Sequence, residues 1–235
     1  IGVAWSLLNP LLMMVIYTII FSVFLRTVVT PGRPYWALVL CGLLAWLFFS
    51  NSVGSAPTAF VHSANLVARV SFPIESLSIA GVIANFVNFL ISLAILLIVL
   101  AAVRMPLGPS LALLPVILLA QLAFTIGVSL LVATLTVYLR DLEHLIGIGL
   151  TALFYLTPVL YPLDPASLPH GAARVIPFLK LNPLAWFLDS YHAVLFYGTW
   201  PSVIQFALML CVAVVALVVG YLVFLRLRGR LAEEV

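Results

Sequence analysis

The sequence predicts an all-α polytopic membrane protein: six transmembrane helices with a re-entrant helical hairpin between the fifth and sixth. Three observations predict it. The 235 residues are 65% hydrophobic and 7% charged, with mean hydropathy +1.30, whereas a soluble domain carries roughly 25% charged residues. Apolar runs recur that can cross a ~30 Å hydrocarbon core as helices rising ~1.5 Å per residue. The only long break in them, Thr157 to Tyr197, is proline-rich yet still full of Leu, Phe, Tyr and Trp. No hydrophilic stretch is long enough to fold alone, so residues 1–235 form a single membrane domain.

The first span runs roughly from Trp5 to Leu25, with Asn9-Pro10 bending its entry. A loop carrying Arg26, Pro31, Arg33 and Pro34 leads to the second, roughly Trp36 to Ser55. Residues 56–77 form a polar connection. Leu66, Val67 and Val70 give it an apolar edge beside His62, Asn65, Arg69 and Glu75, as in a short amphipathic helix or an ordinary interfacial turn. The third span is roughly Ser78 to Val103. The fourth, roughly Leu111 to Tyr138, is long enough to need tilt or a bend at Pro115. A charged turn of Arg140, Asp141, Glu143 and His144 precedes the fifth, roughly Leu145 to Val159, which Pro158 breaks. The sixth is roughly Ser202 to Leu225.

The break between the last two spans covers residues 160–200. Asp164, Arg174, Lys180 and Asp189 interrupt it, as do Pro162, Pro165, Pro169, Pro177 and Pro183. Its second part reads as a short helix: Asn182 caps, Pro183 takes the first helical position and Gly198 ends the run. Leu184, Phe187, Leu188, Tyr191 and Leu195 share one face, with Asp189, Ser190 and His192 opposite. About 15 residues cannot cross the bilayer, so the segment dips into one side and returns.

Charge leaves orientation open. With the C-terminus inside, Arg69, Arg140, Arg226, Arg228 and Arg230 lie inside, while Arg26, Arg33, Arg104, Arg174 and Lys180 lie outside. The cluster of three arginines after the last span favours the inside placement, and six spans then put both termini in the cytoplasm and the hairpin outside. The chain begins at Ile1 rather than methionine and enters a span almost at once, which suggests a truncated N-terminus.

No Asp, Glu, Lys, Arg or His falls in the middle of a span. That excludes the carboxylate relay of a proton- or sodium-coupled carrier and the arginines of a voltage sensor. The chain also lacks a GxxxxGK[ST] phosphate loop. Uphill transport then needs a separate ATPase subunit, and the 56–77 connection is the place for it to dock. Net charge +3 gives no reason to expect nucleic acid. Cys41 and Cys211 lie in spans and form no disulfide or metal pattern.

The third span carries Ser78, Gly81, Asn85, Asn88 and Ser92 at steps of three and four, as a helix-packing stripe or a polar lining would. Met14, Tyr17, Phe21 and Phe24 make a similar stripe on the first, facing lipid or core, or walling a channel. Tyr155, Tyr161, Trp186, Phe187, Tyr191, Tyr197 and Trp200 gather where an interfacial aromatic belt or sugar-stacking platforms would lie. Asp189 and His192 have acid–base spacing, but without HExxH, GxSxG or a carboxylate cluster an enzyme reading has little support.

Six blocks in order resemble the membrane permease of ABC transporters that export O-antigen and related polysaccharides, in the type-2 permease superfamily. They are GVAWSLLNPLLMMVIYTIIFSVF (Gly2 to Phe24), LVLCGLLAWLFFSNSV (Leu38 to Val53), ANLVARVSFPIESLSIAGVIANFVNF (Ala64 to Phe89), YLRDLEHL (Tyr138 to Leu145), FYLTPVLYP (Phe154 to Pro162) and LNPLAWFLDSYHAVLFYG (Leu181 to Gly198). The resemblance implies a homodimer in the bacterial inner membrane, paired with two copies of an ABC ATPase subunit. ATP and Mg would bind to that partner, and this chain would hold no cofactor or metal.

The implied substrate is a glycan on a polyprenyl-pyrophosphate lipid. Asn65, Arg69 and Glu75, with Arg140 and Asp141, would be the coupling face. Tyr161, Trp186, Asp189, Tyr191 and His192 would belong to periplasmic gate helices. Tyr17, Phe21, Phe24, Asn85, Asn88 and Tyr155 would line the channel. An amphipathic interface helix usually precedes the first span in this family. His192 departs from the family pattern, where arginine often follows the tyrosine. Teichoic-acid export and drug or lipid efflux are the nearest alternatives. An intramembrane enzyme on lipid-linked sugars and a passive channel are the alternatives of other classes.

Overall fold

The computed structural model describes residues 33–61, 75–105, 107–139, 141–160 and 181–234, together with Leu12, Val15, Ile16, Ile19 and Leu179. The described elements are helical: α1 (Tyr35–Val61), α2 (Glu75–Ala102), a 3-10 turn (Pro109–Leu113), α3 (Leu114–Tyr138), α4 (Leu142–Leu156), α5 (Pro183–Tyr191) and α6 (Val203–Glu234). Among the described residues four stretches are long and apolar enough to cross a membrane: Tyr35–Pro57, Ser78–Ala102, Pro109–Tyr138 and Val203–Arg228, of 23 to 30 residues. At ~1.5 Å per residue they measure roughly 35–45 Å. They match the expected second, third, fourth and sixth spans.

The other two expected spans are a different matter. Apart from Leu12, Val15, Ile16 and Ile19, which are helical and exposed, the first lies outside the described residues. The fifth corresponds to α4, whose 15 residues give only ~22 Å of helix. Among the described residues, therefore, the count of full-length spans is four. α4 stops at Leu156 because Pro158 disfavours helical geometry at Thr157. Pro115 falls in the first turn of α3, after the 3-10 turn. A missing N–H there breaks no helical bond, so the bend expected at Pro115 is not needed.

Burial differs sharply between spans. Within its membrane-length window α1 is 78% buried, against 28% for α2 and 22% for α6. A helix apolar all round is buried or suited to lipid; α1 is the most buried of these helices, and α6 leaves Val203, Ile204 and Val214 exposed. Some hydroxyls in these apolar helices are satisfied within their own helix, while those of Ser52, Ser78, Thr125 and Ser129 are buried with no partner among the described residues. Thr134 donates to the Leu130 carbonyl at 2.7 Å, Thr136 to Val132 at 2.8 Å and Ser92 to Asn88 at 2.8 Å.

The chain divides into two compact units. One comprises Phe48–Val87, Leu118–Leu153 and Ala207–Val235. In it Phe49 stacks on Phe124 (centroids 5.6 Å apart) and Phe48 meets Phe86 at 5.4 Å. α3 and α6 approach backbone to backbone at Gly127 and Gly220: a Cβ on Gly127 would fall on the Ala216–Leu217 peptide, and one on Gly220 would fall on Gly127. Nearby, the Tyr138 hydroxyl donates to the Leu227 carbonyl at 3.1 Å. Small residues permit this approach, which gains dispersion and weak polar contacts that larger side chains would prevent.

The other unit comprises Ile1–Leu47, Asn88–Ile117 and Phe154–Phe206. It contains α5, the start of α1 and the end of α4. At its edge α2 closes in a Schellman turn: Met105 N–H donates to Leu100 and Arg104 N–H to Ala101, both at 3.0 Å. Arg104 holds the left-handed position there, at φ 57°.

Candidate functional site

Specific contacts among the described residues of this unit gather around α5. Asn182 takes the N-cap position with extended backbone, and its Oδ1 accepts the Leu184 N–H at 3.0 Å. Pro183 fills the first helical position, where no N–H is required. After Tyr191 the helix widens to a π turn, His192–Tyr197, and closes at Gly198 in the left-handed conformation (φ 61°), with Thr199 N–H on the Ala193 carbonyl at 2.9 Å. Cap, proline and terminating glycine all stand where the sequence places them.

The faces differ from the expectation. Leu184, Phe187, Leu188, Tyr191 and Leu195 are buried as predicted, but so are Ser190 and His192 on the supposed polar face. Ser190 satisfies itself on the Trp186 carbonyl at 2.8 Å. Tyr191 is fully buried and meets Phe89 of α2 edge-on, centroids 6.1 Å apart. Asp189 and Trp186 are half-buried.

His192 supplies the tie to α1. Its Nε2 lies 3.1 Å from the Leu38 carbonyl oxygen; because a carbonyl only accepts, Nε2 carries the proton. The ring fits because Gly42 has no side chain. A Cβ there would sit 2.9 Å from Nε2, 3.3 Å from Cε1 and 3.2 Å from the Val159 carbonyl oxygen. Burial pushes the imidazole pKa down to about 4, partly opposed by its bond to Leu38. The histidine is therefore neutral at pH 7 and is a structural donor.

The turn leaving α4, residues 157–160, is held from three sides. Asn182 Nδ2 donates to Thr157 Oγ1 at 2.8 Å and approaches the Leu156 carbonyl at 3.4 Å. Tyr35, the first residue of α1, donates its hydroxyl to the Leu160 carbonyl. The Val159 carbonyl oxygen lies against Gly42. Aromatic contacts run alongside: Trp46 with Phe154 at 5.6 Å and Phe154 with Tyr155 at 5.4 Å. The Arg33 guanidinium lies 5.9 Å from the Phe196 centroid, its buried Nη1 without a hydrogen-bond acceptor among the described residues.

The other predicted positions are more dispersed. Tyr155 is 68% exposed, on the same helix end. Asn88 is exposed and Asn85 half-buried. In the third-span stripe Ser78 and Ser92 are buried, while Gly81 is exposed with nothing within 4 Å of a would-be Cβ; it is not one continuous packing seam. Glu75 is the first residue of α2 and Asp141 is exposed just before α4. Tyr17, Phe21, Phe24, Asn65, Arg69, Arg140 and Tyr161 lie outside the described residues.

Sequence reasoning missed Gly42, Tyr35 and Thr157, and saw Asn182 only as a cap. Thr157-Pro158 and Asn182-Pro183 are the one signal that could have paired them: two proline-punctuated helix boundaries, each with a hydrogen-bonding side chain just before the proline.

Comparisons with known proteins point to one family. The family described as "ABC-2 type transporter" matches residues 1–196. An O-antigen export system permease protein of Myxococcus xanthus is 34% identical over 234 residues, covering 100% of this chain and 88% of that protein. Two such permeases of Klebsiella pneumoniae are 30% and 29% identical, each covering 99% of this chain and 86% of its own length.

Proposed function

The chain belongs to the ABC-2 type transporter family, and from that premise we propose that it is the transmembrane subunit of an ATP-driven exporter. Its substrate would be a polysaccharide of O-antigen type, carried on a polyprenyl-pyrophosphate lipid and moved across the bacterial inner membrane. The observation that carries this reading is the match, over nearly the whole chain, to permeases named for O-antigen export. Spans without a central ionisable residue support it, because they leave no ion gradient to couple to and direct the energy source to a partner.

In this reading two copies form a seam with six spans each, the short α4 and the first span lining it. Two ABC ATPase subunits bind ATP and Mg and dock at Asn65, Arg69 and Glu75, with Arg140 and Asp141 on the same cytoplasmic face. Their closure spreads the seam. The lipid head crosses and the glycan threads past Tyr17, Phe21, Phe24 and Tyr155, with Asn85 and Asn88 as polar contacts. Both termini are cytoplasmic, and the 160–200 hairpin dips in from the periplasmic side as a gate. Tyr161, Trp186, Asp189, Tyr191 and His192 belong to that gate, and the buried Tyr191 and His192 anchor it. Such gating works only if nucleotide binds the open and closed states with different affinity.

The test is the location of the glycan after deletion of the gene, by surface labelling against immunoblotting of lysates. Full-length polymer retained inside the cell is expected. Normal surface polymer in a strain without a redundant exporter overturns the assignment and moves efflux of another lipid to the front.

A further inference from the structure

We infer that Asn182 is a positioning residue: with Thr157 it joins the end of α4 to the start of α5, so that the two helices move as one body. The proposal rests on the transport reading only for its consequence, since the joint itself is a matter of geometry. The Asn182 amide has two ends and both are engaged. Oδ1 caps α5 through the Leu184 N–H at 3.0 Å, while Nδ2 donates across the chain to Thr157 Oγ1 at 2.8 Å and lies 3.4 Å from the Leu156 carbonyl. The cap dictates which way the amide points, because only the oxygen can accept from Leu184.

The partner side is equally constrained. Thr157 is fully buried, and Leu156 O is one of the last carbonyls of α4, left without a helical donor by the stop at Pro158. One side chain thus satisfies an orphan donor at the beginning of one helix and orphan acceptors at the end of another. Separation takes the Asn182 partner away from two buried residues, Thr157 and Leu184, and a hydrogen bond lost at a buried group costs more than the bond is worth in water.

The functional consequence concerns Pro158. Without the joint, movement of the last turn of α4 would be taken up at this proline-marked turn and would not reach α5. With it, displacement passes directly to the gate helix. The neighbouring contacts, Tyr35 on Leu160 and His192 on Leu38, tie the same body to α1, while Asn182 joins α4 to α5.

The joint separates from simple capping by choice of variant. Asn182→Ser keeps a good N-cap but its short side chain cannot reach Thr157. Thr157→Val keeps the cap untouched and removes the acceptor, and Thr157→Ser restores it. Spin labels at exposed Tyr155 and Thr199, in full-length protein with Cys211→Ser, report the α4-to-α5 distance without substrate or partner. Amide exchange at Val159, whose N–H bonds the Thr157 carbonyl at 2.7 Å, reports local opening.

The expected result is a broadened distance distribution and about tenfold faster Val159 exchange in Asn182→Ser and in Thr157→Val. The double variant should be no worse than either alone, and Thr157→Ser should behave as wild type. Wild-type distances and exchange in both single variants overturn the proposal, as does a double variant whose effects simply add. Because these measurements need no glycan, they stand or fall separately from the assignment of substrate.

Discussion

Gly42→Ala is the sharpest test of how α5 is anchored. In the interior of an isolated helix this change is favourable by about 1 kcal/mol. Here the new methyl would lie 2.9 Å from His192 Nε2 and 3.2 Å from the Val159 carbonyl oxygen, where ordinary contact begins near 3.4 Å. The imidazole cannot simply swing away, being only 4% exposed and bound to Leu38 at 3.1 Å. Overpacking a tight core costs about 1–3 kcal/mol, and loss of a neutral hydrogen bond adds about 1.

Set against the propensity gain, the net expectation is destabilisation of about 1–3 kcal/mol. For a chain of this length that is a fall of roughly 2–12 °C in melting temperature, read by thermal melting of the detergent-purified protein. Gly81→Ala is the internal control, since nothing lies within 4 Å of its would-be Cβ. It should be neutral or slightly stabilising. Combining Gly42→Ala with His192→Ala should recover part of the loss, because the methyl then occupies vacated space. A Gly42→Ala protein that melts at or above wild type refutes the account of His192 seated over Gly42.

Three further outcomes follow from particular contacts. Gly220→Val should separate α3 from α6 at Gly127, lower the melting temperature more than Gly42→Ala, and reduce the folded fraction on size-exclusion chromatography, because the atoms in the way are backbone. Arg104→Gly should raise stability by about 0.5–1 kcal/mol in the same melting assay, since a non-glycine residue at φ 57° pays a left-handed penalty that exceeds glycine's extra chain entropy. His192 should make the fold acid-sensitive. Its folded pKa of about 4 lies below the usual 6.5, so the unfolded chain binds the proton more readily. Its contribution is complete above pH 6.5 and declines as pH falls to about 4, and His192→Asn should flatten that part of the melting-temperature profile.

Much of this protein is legible in its sequence because the bilayer imposes simple rules. A helix satisfies its own backbone, so any apolar run of sufficient length spans, and four runs were placed within a few residues of their observed ends. Local punctuation was equally plain. Pro158 stops α4, Asn182-Pro183 starts α5 and Gly198 ends its π turn, because capping and left-handed geometry depend on near neighbours in the chain. Amphipathicity was a poorer guide. His192 and Ser190 occupy the polar side of the helical wheel, yet both are buried, one using a carbonyl of α1 and the other a carbonyl of its own helix.

Where helices begin, where they end and which of them are lipid-soluble follow from transfer energies and from backbone donors within a few residues, so these are written locally in the chain. It takes the packed fold to show that Gly42 makes room for a histidine 150 positions later, that Gly127 and Gly220 bring two backbones together, and that Asn182 reaches back to Thr157. Each of those depends on the approach of atoms distant in the chain. A glycine that admits a neighbour reads no differently in the sequence from Gly81, which has none within 4 Å.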